Sequence, residues 1–424
     1  MEFLDYIKMS TTPYTTVGCS AKMLSENGFE KLNMNENWNL KPGCGYYVTI
    51  YDTSIAAFTV PKKVDDNLTM KVCTAHTDSP CFRVKPSPDM LDKGYLRLNV
   101  ESYGGGIWNT WLDRPLSVAG KVCVKNKDFL KPDVRIIDIK RPVLTIPNLA
   151  IHMNRDVNKG VELNKQTELL PIAGLLSKAL SKENFFVQFI ADELKVEAKD
   201  ILDFDLYVYN AESGCEIGIE KEFISAPRLD NLTSCFALID GLCISENRLN
   251  IILLLDNEEV GSHSKQGADS ALTRILLEKI YGGLVLDNGH LNNAIFSSMA
   301  LSVDVAHAFH PAYPGKSDPK LNVICGNGFA IKMNYSQKYA TDTEAIAFLE
   351  QLCHKADIKY QKYVNRSDMA GGSTIGSIFS SQVPMRTIDI GVPILAMHSA
   401  RELMAKKDME YLKTVIKEFM ADNA

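Results

Sequence analysis

Hydrophobic positions along the chain fall into two textures. From "ISAPRLDN" onward, unbroken apolar runs alternate with stretches of helical period. Residues 232–243 place Leu232, Phe236, Ile239 and Leu242 on one helical face, and Ile251–Leu255 is an apolar run without polar alternation. Such a run predicts a strand covered on both faces. A helix follows over Ala268–Ile280, then strands at Gly283–Leu286 and within Leu301–Val305. The pattern continues with a helix over 342–355, strands near 359–365 and 385–390, and a long C-terminal helix from about residue 400. Near the N-terminus, Thr16 to Asn27 predicts a helix that Gly28 stops. Strands are expected at Tyr46–Tyr51 and Ser54–Val60, and "LTMKVCTAHTDSP" carries another strand into a polar corner at His76.

The second texture lies between about Phe82 and Phe223. Here "YLRLNVESYGGGIW", "PLSVAGKVCVKN" and "DVRIIDIKR" alternate like half-exposed strands, broken by Gly104 to Gly106 and by a lysine-rich polar segment near 181–200. The fold class expected is α/β: a mainly parallel sheet sandwiched by helices, with an inserted mostly β domain. The expected division is 1–84 plus 224–424 for the sheet-and-helix domain and 85–223 for the insertion.

A length of 424 residues exceeds one ordinary core, and an apolar content of 46% is ample for burying two. The net charge of −6 and a pI near 5.8 argue against a nucleic-acid partner, since no basic stripe is present. No apolar run approaches the roughly 18 residues of a membrane helix, and the opening Met-Glu-Phe-Leu-Asp-Tyr is acidic where a signal peptide is basic. A soluble, cytoplasmic protein without a membrane partner is expected. Ten scattered cysteines with no C-x-x-C pair fit reduced thiols better than a disulfide framework or a thiolate metal site.

Candidate chemistry gathers just beyond the carboxyl ends of the strand-like runs, where open parallel sheets bind ligands. His76 and Asp78 follow "MKVCTA", Asp230 follows "ISAPRL", Glu258 and Glu259 follow "IILLLDN", Asp304 lies within "ALSVDVAH", and His398 follows "DIGVPILAM". Each has an ordinary structural reading too: His76 as a core histidine, Asp78 as a turn cap, Asp230 as a helix cap, Glu258-Glu259 as a solvated pair. What tips the balance is that five segments deliver such groups to one predicted rim. Two histidines with several carboxylates suit a pair of divalent ions, most readily Zn2+, with Co2+ or Mn2+ also compatible. Two adjacent glutamates let one bind metal while the other takes a proton from water, and a His-x-Asp step lets a carboxylate fix a ligating imidazole.

With those residues assembled, the chain resembles the M18 aminopeptidases, the aspartyl aminopeptidase family. The motifs "AHTDSP", "PNLAIHMNRDVNKG", "RLDN", "DNEEVGS", "DVAHAFHP", "GGSTIGSI" and "DIGVPILAMHSARE" occur in family order nearly end to end. The resemblance implies a zinc-exopeptidase type fold whose insertion serves dimerisation and as a lid. It implies one metal held by His76, Asp230 and Asp304, and another by Asp230, Glu259 and His398. Glu258 is then the general base and Asp78 orients His76. His152 is implied to reach a neighbouring subunit's site, in homodimers that assemble to a dodecamer. Substrates would be short peptides with a free N-terminus.

The family name implies release of N-terminal Asp or Glu, which calls for a cation in the first specificity pocket. Lys338 and Arg386 are the candidates, although family members carry a basic residue where this chain has Tyr335-Ser336. Gly372, in "GGSTIGSI", is expected to line the groove through its backbone. A broad or leucine-type aminopeptidase with the same site is the alternative, as is an amidase or carboxypeptidase on the same scaffold. A non-catalytic assembly protein of the same fold is the reading from another class.

Overall fold

Two strands set the frame: Met70–His76 and Leu249–Leu255, each buried along its whole length and paired in parallel with Leu255 opposite His76. In the computed structural model, which describes residues 1–160, 162–176, 184–245 and 247–421, they lie inside a nine-stranded sheet. Its order is Glu30–Lys31, Gly45–Ile50, Ser54–Thr59, Leu249–Leu255, Met70–His76, Met299–Val303, Arg386–Gly391, Phe329–Met333, Tyr360–Val364. The central strands Leu249–Leu255, Met70–His76, Met299–Val303 and Arg386–Gly391 all run parallel. Their carboxyl ends therefore open on one rim.

The period of two along a strand divides the core. Ile252 and Leu254 join one hydrophobic cluster with Phe236, Ile239 and Ile416, from helices Leu229–Cys243 and Lys406–Met420. Ile251, Leu253 and Leu255 join the opposite cluster with Leu276, Leu291 and Phe379, from helices Leu272–Gly283, Asn288–Ser297 and Ile375–Gln382. Both faces are covered, so the strands carry no polar alternation.

By contact the chain divides into two units. One comprises Met1–Asp78, Gly214–Met397 and Glu402–Ala424; the other comprises Ser79–Ser213 with His398–Arg401. The first also holds a small sheet of Cys215–Ile217, Phe223–Ala226, Glu402–Ala405, Pro393–Leu395 and Ala306–His307. The second is built on six antiparallel strands, Asp133–Asp138, Leu116–Val124, Ile201–Asn210, Cys81–Asp92, Tyr95–Tyr103 and Ile172–Leu175. Within it the Arg83 guanidinium lies over the rings of Tyr103 and Tyr207.

Several elements differ from expectation. Gly283–Leu286 is no strand: Gly283 ends helix Leu272–Gly283 and Leu284–Leu286 lead toward helix Asn288–Ser297, with Val285 in the left-handed region at φ 63°. The C-terminal helix starts at Lys406, because Glu402–Ala405 pairs as a strand with Phe223–Ala226. Asp304 sits just beyond its strand. Helix Phe3–Met9 was unanticipated, and helix Pro13–Glu26 begins earlier than expected, with Thr12 as its cap and proline in its first turn. Of the lysine-rich segment, 181–183 lie outside the described residues, and the remainder contains helix Phe185–Leu194.

Candidate metal centre

His76 ends its strand almost fully buried, and its neighbours determine its tautomer. Nδ1 lies 3.0 Å from the backbone oxygen of Asp78, an acceptor, so Nδ1 carries the proton and donates. Nε2 is left facing two carboxylates, 3.2 Å from Oδ1 of Asp230 and 3.7 Å from Oδ1 of Asp304. That is how a ligating histidine is set up: one nitrogen held by an acceptor and the other aimed at shared ligand atoms.

Asp230 reaches this point because the chain leaves helical geometry there. Arg228 occupies the left-handed region at the cap, Asp230 is extended (φ −79°, ψ 104°), and the Asp230–Asn231 peptide is cis. The Asn231 carboxamide donates to the Val303 carbonyl at 2.9 Å, tying the turn to the strand end that precedes Asp304. The N–H of Asp230 donates to the buried Glu402 carboxylate at 3.0 Å. Asp230 is thus no simple helix cap: its backbone N–H is held and its side chain faces His76.

Glu258 and Glu259 open a short 3₁₀ turn, Glu258–Val260, preceded by Asn257 in the left-handed region. Asp78 fastens both glutamates. Its Oδ1 accepts the N–H of Glu258 at 3.2 Å and its Oδ2 accepts that of Glu259 at 3.1 Å. One ligand oxygen or nitrogen from each of His76, Asp230 and Glu259 falls within 4.8 Å of the others.

The electrostatics fit a cation. Burial works against a charged His76, but hydrogen bonding with Asp230, Asp304 and Asp78 outweighs it and holds the imidazole well above its ordinary pKa. Burial pushes the Glu258 carboxyl up to about 8; His76 opposes the rise, and Asp304, Asp78 and Asp230 add to it. Carboxylates crowded around a buried imidazole constitute a nitrogen and oxygen donor set for a divalent ion such as zinc.

The other expected residues are distributed as follows. His398, in the second unit at φ 66°, has Nδ1 at 3.0 Å from the Gly105 carbonyl oxygen, which makes Nδ1 the donor. His152 is exposed in a turn of the second unit. Arg386 is not brought to the rim. It opens its strand in register with Met299 and, through it, Lys71, five residues before His76 and so roughly 16 Å from the carboxyl end. There it pairs with Glu344. Lys338 is half-buried and its ammonium is committed to the carbonyls of Ala370 and Gly371. Gly372 has open space at its Cα, whereas at Gly371 (φ +56°) a Cβ would meet the Asn365 side chain at 2.4 Å. A cleft of about 290 Å³ in the first unit is lined by His307, His310, Tyr363, Asn365, Gly371 and Met397.

Lys332 was missed. It lies on strand Phe329–Met333, 2% exposed, with Nζ 3.1 Å from the Val305 oxygen and 3.6 Å from Oδ2 of Asp304. The signal was present as a single charge inside the apolar run "FAIKM".

Comparison with known proteins agrees in scale. Residues 6–420 match the family model described as aminopeptidase I zinc metalloprotease (M18). A probable M18 family aminopeptidase 2 of Clostridium novyi (strain NT) is 45% identical over 421 residues, spanning 99% of this chain and 97% of the relative. A chain in the cryo-EM structure of the Ape4 and Nbr1 complex superposes with a TM-score of 0.94 at 34% identity, covering 99% of this chain and 84% of that one. A chain of the S. cerevisiae mApe1 dodecamer superposes with a TM-score of 0.84 at 26% identity, covering 98% and 95%.

Proposed function

Since the chain belongs to the M18 aminopeptidases, which are zinc metalloproteases, we propose that it releases a single N-terminal residue, Asp or Glu, from short peptides at a two-metal site on this rim. The observation that carries the reading is the convergence of His76 Nε2 with Asp230 and Asp304, beside two glutamates held by Asp78. His76, Asp230 and Asp304 are proposed to hold one ion, and Asp230, Glu259 and His398 the other. The His398 assignment rests on the family resemblance and on its ring chemistry. Divalent ions there supply Lewis acidity and lower the pKa of water.

The protein's own residues supply the rest. Glu258, turned from the ligand set by one residue, takes the proton from the attacking water and delivers it to the leaving amine. Asp78 keeps His76 in the tautomer that presents Nε2, and it holds the two glutamates in fixed relation. For an acidic first residue the cation proposed is Lys332. Both lysines donate to backbone carbonyls, Lys338 to Ala370 and Gly371 and Lys332 to Val305, and Arg386 stands at the far end of its strand; what favours Lys332 is its place beside Asp304, a proposed ligand. By resemblance, His152 is assigned to the site of a second subunit; the dodecameric mApe1 neighbour supports an assembly of that kind here.

The test is a dipeptide panel of Asp-, Glu-, Leu-, Lys- and N-acetyl-Asp-X, run after chelation and after restoring zinc, cobalt or manganese. Metal-dependent release from Asp-X and Glu-X, with the acetylated peptide untouched, is expected. Preferential cleavage of Leu-X would replace the acidic preference by a broad one.

A further inference from the structure

Asp389 lies outside the donor set and is fully buried on strand Arg386–Gly391. In the antiparallel pairing of this strand with Phe329–Met333 it stands directly opposite Lys332, so the two side chains share a face. Besides a hydrogen bond with Ser302 on the adjacent strand, its carboxylate reaches two other segments. Oδ2 accepts the N–H of Ala340 and Oδ1 accepts the hydroxyl of Thr374, both at 2.6 Å. Its own N–H donates to the Thr341 hydroxyl at 2.8 Å. No Cβ fits at Gly376, where one would lie 2.6 Å from Oδ1, so the first turn of helix Ile375–Gln382 can pack against the carboxylate.

Two segments far apart in sequence are therefore stitched to one point: the loop after the Lys332 strand, and the turn that leads into helix Ile375–Gln382. Lys338 adds a second stitch between them, from its ammonium to the Ala370 and Gly371 carbonyls. Gly371 lines the cleft beside the segment that follows Asp304. A buried carboxylate placed this way costs desolvation, and its hydrogen bonds compensate only while both segments stay in place.

We infer that Asp389 is a positioning residue for substrate binding: it ties residues 334–341 to residues 370–376 and so holds in place Gly371, which lines the cleft. The inference rests on the proposed aminopeptidase activity, with the peptide taken to lie along this cleft, which His307, three residues after Asp304, also lines. Asp389 touches neither the peptide nor the metal ligands; it acts through the two segments it holds. Hydrogen bonding is the feature that ties the two segments, while Lys332, opposite on the neighbouring strand, also attracts the carboxylate. An asparagine keeps an acceptor for Ala340 and offers a donor to the Thr374 oxygen, whereas alanine offers neither.

The experiment compares Asp389→Ala, Asp389→Asn and Thr374→Val with wild type by steady-state kinetics, metal content and hydrogen exchange. In Asp389→Ala, KM for the preferred dipeptide is expected to rise at least about tenfold with kcat within about threefold and full metal content, for the loss of two hydrogen bonds to a buried carboxylate. Asp389→Asn should restore KM to within about threefold of wild type, and Thr374→Val should reproduce part of the rise. Backbone exchange in 334–341 and 370–376 should quicken about tenfold or more in the alanine and valine variants. Unchanged KM and exchange in both variants would overturn the inference, and so would an asparagine variant as impaired as alanine. If Asp389→Ala does not fold, Thr374→Val decides alone. If wild type hydrolyses no peptide, the aminopeptidase reading fails, and the exchange comparison still decides whether Asp389 holds the two segments.

Discussion

Asp78 binds three things at once to His76's end of the sheet: its backbone oxygen lies 3.0 Å from Nδ1 of His76, and its two carboxylate oxygens accept the N–H groups of Glu258 and Glu259. An aspartate buried to this degree, with both oxygens committed, couples the imidazole to the glutamates without itself facing the cleft. Asp78→Ala keeps the backbone oxygen beside His76 but removes the acceptors of the Glu258 and Glu259 N–H groups, and is expected to weaken metal affinity about 10-fold through Glu259, the low end of what loss of a partner that orients ligands costs elsewhere. Competition with a chelator measures it, and an unchanged affinity would remove Asp78 from that role.

Lys332 contributes a buried positive charge beside Asp304. Lys332→Met should lower kcat/KM for Asp-X about a hundredfold, because a site built around a charge rejects by leaving its partner unpaired, and it should lower Leu-X much less. Equal losses on the two substrates would reassign Lys332 to holding Asp304 alone.

For His152, exposed in its own subunit, the resemblance assigns a place in a neighbour's site. His152→Phe should leave the oligomer unchanged by light scattering and lower kcat about a hundredfold, the scale of losing one donor to a developing oxyanion. A wild-type rate would exclude it.

A pH effect is expected away from the metal centre. Asp408 is fully buried, and its carboxylate accepts the N–H groups of Gly326 and Gly328 at the foot of the Lys332 strand. Burial raises its pKa from the ordinary 3.8 to about 6, against the opposing pull of those two bonds. The native state therefore holds this proton more tightly than the unfolded chain. The stabilisation is full below the unfolded pKa and is lost as pH rises through about 6. Urea unfolding with chelator present should show the stability difference, wild type minus Asp408→Asn, shrinking by about 2 kcal/mol from about pH 4.5 to pH 7. A difference independent of pH contradicts the assignment.

The rim residues were legible because a strand buried on both faces leaves an unbroken apolar run, and "NIILLLDNEE" marks its end without ambiguity. "GGLVL" misled, since three apolar residues after two glycines carry no period that separates a strand from a helix connection. "ELMA" was absorbed into the last helix because its strand partner, Phe223–Ala226, is distant in sequence. Arg386 looked suitable by charge alone; only the direction of its strand shows it at the wrong end. Lys332 and Asp389 were visible as single charges in "FAIKM" and "TIDIG", but their pairing exists only in the sheet register.

The most direct measurement is the metal content and turnover of Glu258→Gln beside Glu259→Ala. The two neighbours are predicted to separate. Glu258→Gln keeps its metal and loses turnover by about 100-fold or more, as removal of a general base does, whereas Glu259→Ala loses metal and turnover together. Equal metal loss in both variants, or near-normal turnover in Glu258→Gln, would contradict the division of labour between base and ligand on which the account rests.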